Sequence, residues 1–346
     1  MSPITPPAGS KSFVVGVDVG GTKIAAGVVD ANGQVYGRVK IPTDTSQPER
    51  TLQSIIIAIT ATLREAEVNP SHVSAVGLGI PGKVDPVRGI SLLAVNLGWH
   101  DIPVKQRLEE ALDLPCWLEN DVSVAALGES LYGAGRGLEN FLYLSLGTGV
   151  AARMILAGQL YRGSNGLAGE IGHAIVVPDG PQCLCGARGC LEALISGPAL
   201  VKQAQEEIRA GKRTILKETW LHEPQPLAEQ IFAAALQGDD VAQQLLTGAG
   251  KRLANTIYLL AMTFDPQAVV LGGGLARADG PFFATVCSEV VRKLEQSPIF
   301  REIFSPKSLL LSDLKLDAGI LGAASLARTR LKNPKRGYNK GVLSRG

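Results

Sequence analysis

The sequence predicts an α/β protein made of two similar lobes, and three observations carry that reading. Short runs rich in valine, leucine and alanine come three at a time, separated by glycine-bearing turns, and helical and strand-like segments alternate after each trio. The trio occurs twice, first from Phe13 and again from Phe141, as a duplication would leave it. Forty glycines stand in a 346-residue chain that is 45% hydrophobic and only 5% aromatic, which allows many tight turns between apolar elements and two full cores.

In the first lobe, Phe13–Val19, Ile24–Val29 and Gln34–Ile41 read as strands. Gly20-Gly21-Thr22-Lys23 separates the first two, and Asp30-Ala31-Asn32-Gly33 forms a hairpin turn by its Asn-Gly pair. Pro48 opens an amphipathic helix to about Glu67, because a proline in the first helical turn forfeits no hydrogen bond. Val73–Ile80 reads as a buried strand, Val104–Leu112 as a helix and Cys116–Leu118 as a short strand, and Asp121 opens a helix to about Tyr132. The pattern restarts after Gly133-Ala134-Gly135-Arg136-Gly137. Phe141–Leu146, Val150–Leu156 and Gln159–Tyr161 are its strands, again with a glycine-threonine turn between the first two. Helices follow at about Pro198–Ala210, Leu227–Gln237 and Val241–Thr263. A strand Ala268–Leu271, a further helix, a strand Ser308–Leu311 and a last helix from Gly319 complete the chain. The expected division is a disordered segment 1–10, a first lobe 11–133, a second lobe 134–318, a helix 319–331 returning to the first lobe, and a disordered basic tail 332–346. A cleft is expected between the lobes.

Several classes are excluded. No apolar run reaches membrane-spanning length, and the Pro-rich, polar residues 1–10 do not make a signal peptide, so a cytoplasmic protein is expected. Five cysteines, an odd number, argue against a disulfide framework, and Cys116 and Cys287 read as isolated core residues. The net charge of +2 hides five uncompensated cations in the tail (Lys332, Lys335, Arg336, Lys340 and Arg345), which leaves −3 for the rest. The tail is either a solvated end or a nucleic-acid contact, while the body has no basic excess with which to hold a polyanion.

The most specific chemical signal runs from Glu170 to Glu192. His173, Cys183, Cys185 and Cys190 supply an imidazole and three thiolates, a complete tetrahedral zinc shell with no vacancy for a reactive water. Such a metal pins a loop, and the flanking Glu170 and Glu192 are then aimed at a polyhydroxylated ligand. Three free buried thiols and an ordinary histidine are the alternative. Asp18-Val19-Gly20-Gly21-Thr22-Lys23 is a turn whose backbone amides, hydroxyl and ammonium suit a phosphate, although any glycine-rich hairpin shares its form. Gly147-Thr148-Gly149 at the matching place in the second lobe strengthens the phosphate reading, because two such turns hold both ends of a triphosphate. Leu271-Gly272-Gly273-Gly274-Leu275 ends a strand where bare backbone admits a nucleotide base and ribose. In Glu119-Asn120-Asp121, Asp121 is set to accept a proton from a hydroxyl that attacks a γ-phosphate, or it is simply a helix N-cap. Asn120 has the donor and acceptor that a sugar hydroxyl needs.

These motifs together resemble the sugar kinases of the ROK family, most of all its bacterial glucokinases. The matching residues are Asp18 to Lys23, Gly79-Ile80-Pro81-Gly82, Glu119-Asn120-Asp121 with Ala125 and Glu129, and Gly147-Thr148-Gly149. They continue with Ala168-Gly169-Glu170-Ile171-Gly172-His173, the block from Cys183 to Glu192, and Leu271 to Gly274, so the likeness spans residues 13 to 325. The resemblance implies an actin-like, ribonuclease-H-like ATPase fold of duplicated βββαβαβα units, closing over a hexose and ATP. It implies Asp121 as general base and a structural zinc on His173, Cys183, Cys185 and Cys190. Substrate contacts are implied for Gly82, Asn96, Asn120, Asp121, Glu170, His173 and Glu192. Nucleotide contacts are implied for Asp18, Gly20, Gly21, Thr22, Lys23, Gly147, Thr148, Gly149, Gly273 and Gly274, with Mg²⁺ accompanying ATP and Asp18 orienting its waters.

The implied activity is phosphorylation of a hexose at its 6-hydroxyl, glucose first, in carbohydrate metabolism, by a homodimer or homotetramer. N-acetylmannosamine or N-acetylglucosamine is the alternative substrate. A non-catalytic sugar-binding regulator is the alternative of another class, disfavoured because a first strand at Phe13 leaves no room for a helix-turn-helix domain. The chain departs from the family pattern at one place. Val150 is followed by Ala151, Ala152 and Arg153 where a run of glycines is usual, and Arg153 is expected either to face solvent or to add a positive charge near the phosphates.

Overall fold

The computed structural model describes residues 13–333 apart from 222, 224, 315 and 316. The expected segment 1–10, and the tail 332–346 beyond its first two residues, lie outside the described residues. In chain order the elements begin with β1 (Phe13–Val19), β2 (Lys23–Val29), β3 (Val35–Pro42), α1 (Pro48–Glu65), β4 (Val73–Ile80), β5 (Lys83–Asp85), β6 (Ile90–Ala94) and β7 (Trp99–Ile102). Next come α2 (Val104–Leu112), β8 (Cys116–Asn120), α3 (Asp121–Tyr132), β9 (Phe141–Leu146), β10 (Val150–Leu156) and β11 (Gln159–Tyr161). Then follow α4 (Glu192–Ile195), α5 (Gly197–Arg209), α6 (Leu216–Thr219), α7 (Ala228–Leu236) and α8 (Asp240–Phe264). The chain ends with β12 (Ala268–Gly272), α9 (Pro281–Gln296), α10 (Pro298–Ile303), β13 (Leu309–Leu311) and α11 (Asp317–Lys332).

Two compact units result, one holding the described residues of 13–137, 160–168 and 313–333 and the other those of 138–159 and 169–312. The stretch 160–168 thus groups with the first unit, although it lies beyond the expected boundary. Each unit is built on a five-stranded sheet, in the orders β3-β2-β1-β4-β8 and β11-β10-β9-β12-β13. In both, the first strand of the trio is central and its hairpin partner is antiparallel to it, as in Val17↔Ala26 and Leu146↔Val150. Two parallel strands follow on its other side. That repeated plan is the ribonuclease-H-like unit of the actin-like ATPases.

β1 shows no hydrophobic alternation because both of its faces are covered. Phe13, Val15, Val17 and Val19 face the core that contains Leu52, Ile55 and Ile59 of α1. Val14, on the opposite face, packs with Ile320, Leu321 and Ala324 of α11. The final helix therefore packs on the first sheet. At four glycines it lies so close that no side chain fits. A Cβ on Gly16 of β1 would fall 2.0 Å from the Ile320 carbonyl oxygen, and one on Gly77 of β4 would fall 1.8 Å from that of Ala323. Against α3, a Cβ on Gly322 would meet the Val124 oxygen at 1.6 Å, and one on Gly128 the Ala318 oxygen at 2.3 Å. The buried Glu129 carboxylate ties the entry to this helix, accepting from the backbone N–H of Ala134 at 2.8 Å and of Leu314 at 3.4 Å.

A three-stranded sheet, β5-β6-β7, was not expected from the sequence. Its strands are three to five residues long, too short for alternation to register. It matters to the site, because Gly82 stands immediately before β5 and Asn96 in the turn between β6 and β7. In the second unit, edge-to-face contacts join α7 to α9 through Phe232 and Phe282, 6.0 Å apart, and α8 to α10 through Tyr258 and Phe300, 4.8 Å apart.

The glycine contacts make a testable contrast. Gly77→Ala should destabilise the chain by about 1–3 kcal/mol, since the methyl group can only be admitted by moving α11. In the middle of α8, a Cβ on Gly248 meets only the mobile end of Arg252, so Gly248→Ala should stabilise by about 0.5–1 kcal/mol. Urea unfolding of both variants checks the pair. Equal effects would contradict the close approach of α11.

Candidate active site

In the first unit the site forms where β1, β4 and β8 end side by side. Asp18 lies opposite Gly79 on β4, and Gly79 lies opposite Glu119 on β8. Gly79 has no side chain to separate its neighbours: a Cβ there would lie 3.6 Å from Asp18 Oδ1 and 3.2 Å from Asp121 Cα. Gly319 of α11 is bare for the same reason, as its Cβ would reach Asp18 Oδ2 at 2.6 Å. Asp18 is thereby enclosed beside a second carboxylate. Burial first, and then the charge of Asp121, push its pKa up to about 7, with Lys23 opposing them.

The 20–23 turn next to Asp18 is closed by the Gly20 N–H donating to the Lys23 carbonyl at 2.9 Å. It is anchored to the end of β3 through the Thr43 hydroxyl, which donates to the Gly20 carbonyl at 2.7 Å. Thr22 and Lys23 are exposed. Asn96 is packed on this turn, close enough that a Cβ on Gly21 would lie 2.9 Å from it. Gly82, at φ +81°, has its carbonyl bonded by the Asn120 side-chain amide at 3.0 Å.

The N-cap reading of Asp121 is corrected here. Asn120 is the cap of α3, accepting from the Ser123 N–H at 3.1 Å, and Asp121 is the first helical residue. Asp121 Oδ1 accepts from the Val122 N–H at 2.8 Å, which orients the carboxylate. The sequence reading missed a partnership immediately before it. The buried Glu119 carboxylate accepts from Arg162 Nε at 2.8 Å and Nη2 at 2.7 Å, and its other oxygen from the Asn120 N–H at 3.0 Å. The two residues are 43 positions apart, and no local pattern links them.

In the second unit, the 147–149 turn is closed by the Gly147 N–H donating to the Gly149 carbonyl at 3.0 Å. The Gly147 carbonyl in turn receives the N–H of Gly197 at the start of α5. Gly273, at φ +87°, wraps the end of β9, where the Leu275 N–H donates to the Leu146 carbonyl at 3.0 Å. The two glycine turns of this unit are therefore neighbours, and Gly274 has open space beside it. Glu192 lies under the first of them, its Oε2 accepting from the Val150 N–H at 2.9 Å.

Arg153 does not face solvent. It is 4% exposed and donates from Nη2 to Glu170 Oε1 at 2.7 Å. The metal-type residues do come together. His173 Nδ1 lies 3.8 Å from Cys183 Sγ, Cys185 Sγ lies 3.7 Å from Cys190 Sγ, and all four donor atoms fall within 4.8 Å of one another. A tetrahedral ion with bonds of about 2.3 Å to sulfur sets its ligands about 3.8 Å apart, so the group has the composition and spacing of a zinc shell. Gly189 makes the fold-back possible, since a Cβ there would meet the Val177 oxygen at 1.7 Å.

The ROK family model matches residues 14–330. A glucokinase of Streptomyces coelicolor is 36% identical over 324 residues, covering 91% of this chain and 98% of that protein. An N-acetylmannosamine kinase of Escherichia coli is 34% identical over 317 residues, covering 90% and 97%. Among solved structures, a ROK family glucokinase from Streptomyces griseus in complex with glucose and AMPPNP matches with a TM-score of 0.78 at 35% identity, covering 92% of this chain and 99% of that one. The chain belongs to the ROK family. No helix among the described residues is long and apolar enough to cross a membrane.

The elevated pKa of Asp18 has a measurable consequence. Below its ordinary value of 3.8 both folded and unfolded chains carry the proton; between there and about 7 only the folded chain does. Stability therefore falls as pH rises through that window, by at most about 1.4 kcal/mol per pH unit from this group. Asp18→Asn should remove that slope, so urea midpoints without added divalent cation should decline less from pH 4.5 to 7 than in the unaltered protein. Parallel declines would show that Asp18 is ionised as usual.

Proposed function

We propose that this ROK-family chain is a sugar kinase that transfers the γ-phosphoryl group of ATP to the 6-hydroxyl of a hexose, with glucose as its first substrate. The observation that carries the reading is the pair Asp18 and Asp121, held side by side across the bare Gly79 next to an exposed turn bearing Thr22 and Lys23. Phosphoryl transfer asks little covalent chemistry of a protein, and needs a placed acceptor hydroxyl, a base for its proton and charge to hold the phosphates. Asp121 is the base, taking the proton as the 6-hydroxyl oxygen attacks phosphorus and ADP leaves. The turns at 20–23 and 147–149 offer backbone amides to the phosphates, with Thr22, Lys23 and Thr148 beside them, and Gly273 and Gly274 admit the nucleoside. Mg²⁺ bound with ATP neutralises charge on the β- and γ-oxygens, and Asp18 is the side chain placed to hold it or its waters.

For the sugar, Glu170, His173 and Glu192 accept from or donate to ring hydroxyls, joined by Gly82, Asn96 and Asn120. Zinc on His173, Cys183, Cys185 and Cys190 supports these contacts by fixing the loop, and takes no part in the transfer. The N-acetylmannosamine kinase relative favours a second reading, in which an N-acetyl hexosamine is the preferred acceptor. Comparing kcat/KM for glucose, mannose, N-acetylmannosamine and N-acetylglucosamine separates the two. No phosphorylation of any of them would remove the kinase reading altogether.

Two further outcomes are expected. Asp121→Asn keeps the side chain's size and hydrogen bonding but cannot take up the proton, so kcat should drop by about 10²–10⁴-fold while glucose affinity stays within several-fold of normal. Near-normal turnover would show that another group is the base. The purified protein should hold one zinc per chain, and Cys185→Ser should lower Tm and sugar affinity together. Active protein free of zinc would exclude the structural-zinc assignment.

A further inference from the structure

The departure at Ala151-Ala152-Arg153 has a structural counterpart at Glu170. Residues 169–172 lie flat on β10: the Ala152 N–H donates to the Gly169 carbonyl at 2.7 Å. A Cβ on Gly169 would meet the Ala152 oxygen, and one on Gly172 the Val150 oxygen, each at 2.0 Å. From inside this seam the Arg153 guanidinium reaches out, its Nη1 donating to the Ala152 carbonyl and its Nη2 to Glu170 Oε1, both at 2.7 Å. The side chain of Arg153 is 5% exposed and that of Glu170 is 37% exposed, so the pair runs from buried cation to accessible anion. Glu170 Oε2 has no protein partner among the described residues. A buried guanidinium holds a carboxylate far more firmly than a surface lysine does, because its planar fork fixes direction as well as charge.

We propose that Arg153 is a positioning residue for sugar recognition. It occupies Oε1 of Glu170, fixes the direction of the carboxylate, and presents Oε2 to a single hydroxyl of the acceptor sugar. This rests on the kinase reading above and adds to it a requirement on the substrate: at one ring position the sugar must offer a free hydroxyl donor. A glycine at residue 153 would leave Glu170 without this brace, so the arginine exchanges local chain freedom for a fixed acceptor.

The test is steady-state kinetics of Arg153→Met and Arg153→Lys with glucose and with 1-, 2- and 3-deoxyglucose. Losing an aimed, charged hydrogen bond is worth about 10–100-fold. Arg153→Met should raise KM for glucose by that factor while kcat stays within about threefold, and Arg153→Lys should recover a large part of the loss. One deoxy sugar, the one that lacks the hydroxyl facing Glu170, should show a KM that Arg153→Met changes by less than about threefold. If Arg153→Met does not fold, Glu170→Gln serves in its place and should show the same KM rise and spare the same deoxy sugar. A glucose KM within twofold of normal would overturn the proposal. So would equal losses across all the sugars, which mark a structural role only. Failure of the unaltered chain to phosphorylate any of these sugars overturns instead the kinase reading on which the proposal rests.

Discussion

The first unit depends on how closely α11 approaches its sheet. Backbone meets backbone at Gly16 and Gly77, and again where Gly322 and Gly128 bring α11 and α3 together. One methyl group at any of these positions overlaps a carbonyl oxygen, and a packed interior has no slack to absorb it. The approach brings Gly319 against Asp18, and with it the end of β1 acquires its enclosed carboxylate. The same logic repeats at Gly79, where a missing side chain leaves Asp18 and Asp121 as neighbours. Absent atoms thus set the electrostatics of the site.

Carboxylates in the two units are held in two ways. Glu119 and Glu170 each receive an arginine, Arg162 and Arg153, at 2.7 Å. A guanidinium donor fixes the direction in which its carboxylate accepts. Asp18 instead lies beside a like charge, with Lys23 as its opposing influence, and its pKa rises to about 7. A carboxylate kept this way binds a proton or a divalent cation more readily than one already paired.

Much of this was legible in the sequence because it is local. Phe13–Val19, Val73–Ile80, Val104–Leu112 and Val150–Leu156 coincide with observed elements, since each is an apolar run bounded by turn residues. The histidine–cysteine cluster was legible for the same reason, all four ligands falling within eighteen positions. What stayed hidden is non-local or short. Strands β5 to β7 are too brief for periodicity. Arg153 and Glu170 are 17 residues apart and Arg162 and Glu119 are 43 apart, so their pairing depends on tertiary packing that no local pattern records. The alternative reading of Asp121 as an N-cap fails because an Asn-Asp pair offers two good capping residues and only backbone geometry chooses between them.

The most direct measurement is identification of the products when the purified chain is given ATP, Mg²⁺ and glucose, by phosphorus and proton magnetic resonance. Phosphoryl transfer to a positioned hydroxyl predicts glucose 6-phosphate formed one-for-one with ADP, and little ADP without sugar. ADP released with no phosphorylated sugar, or a phosphate on another hydroxyl, would contradict it.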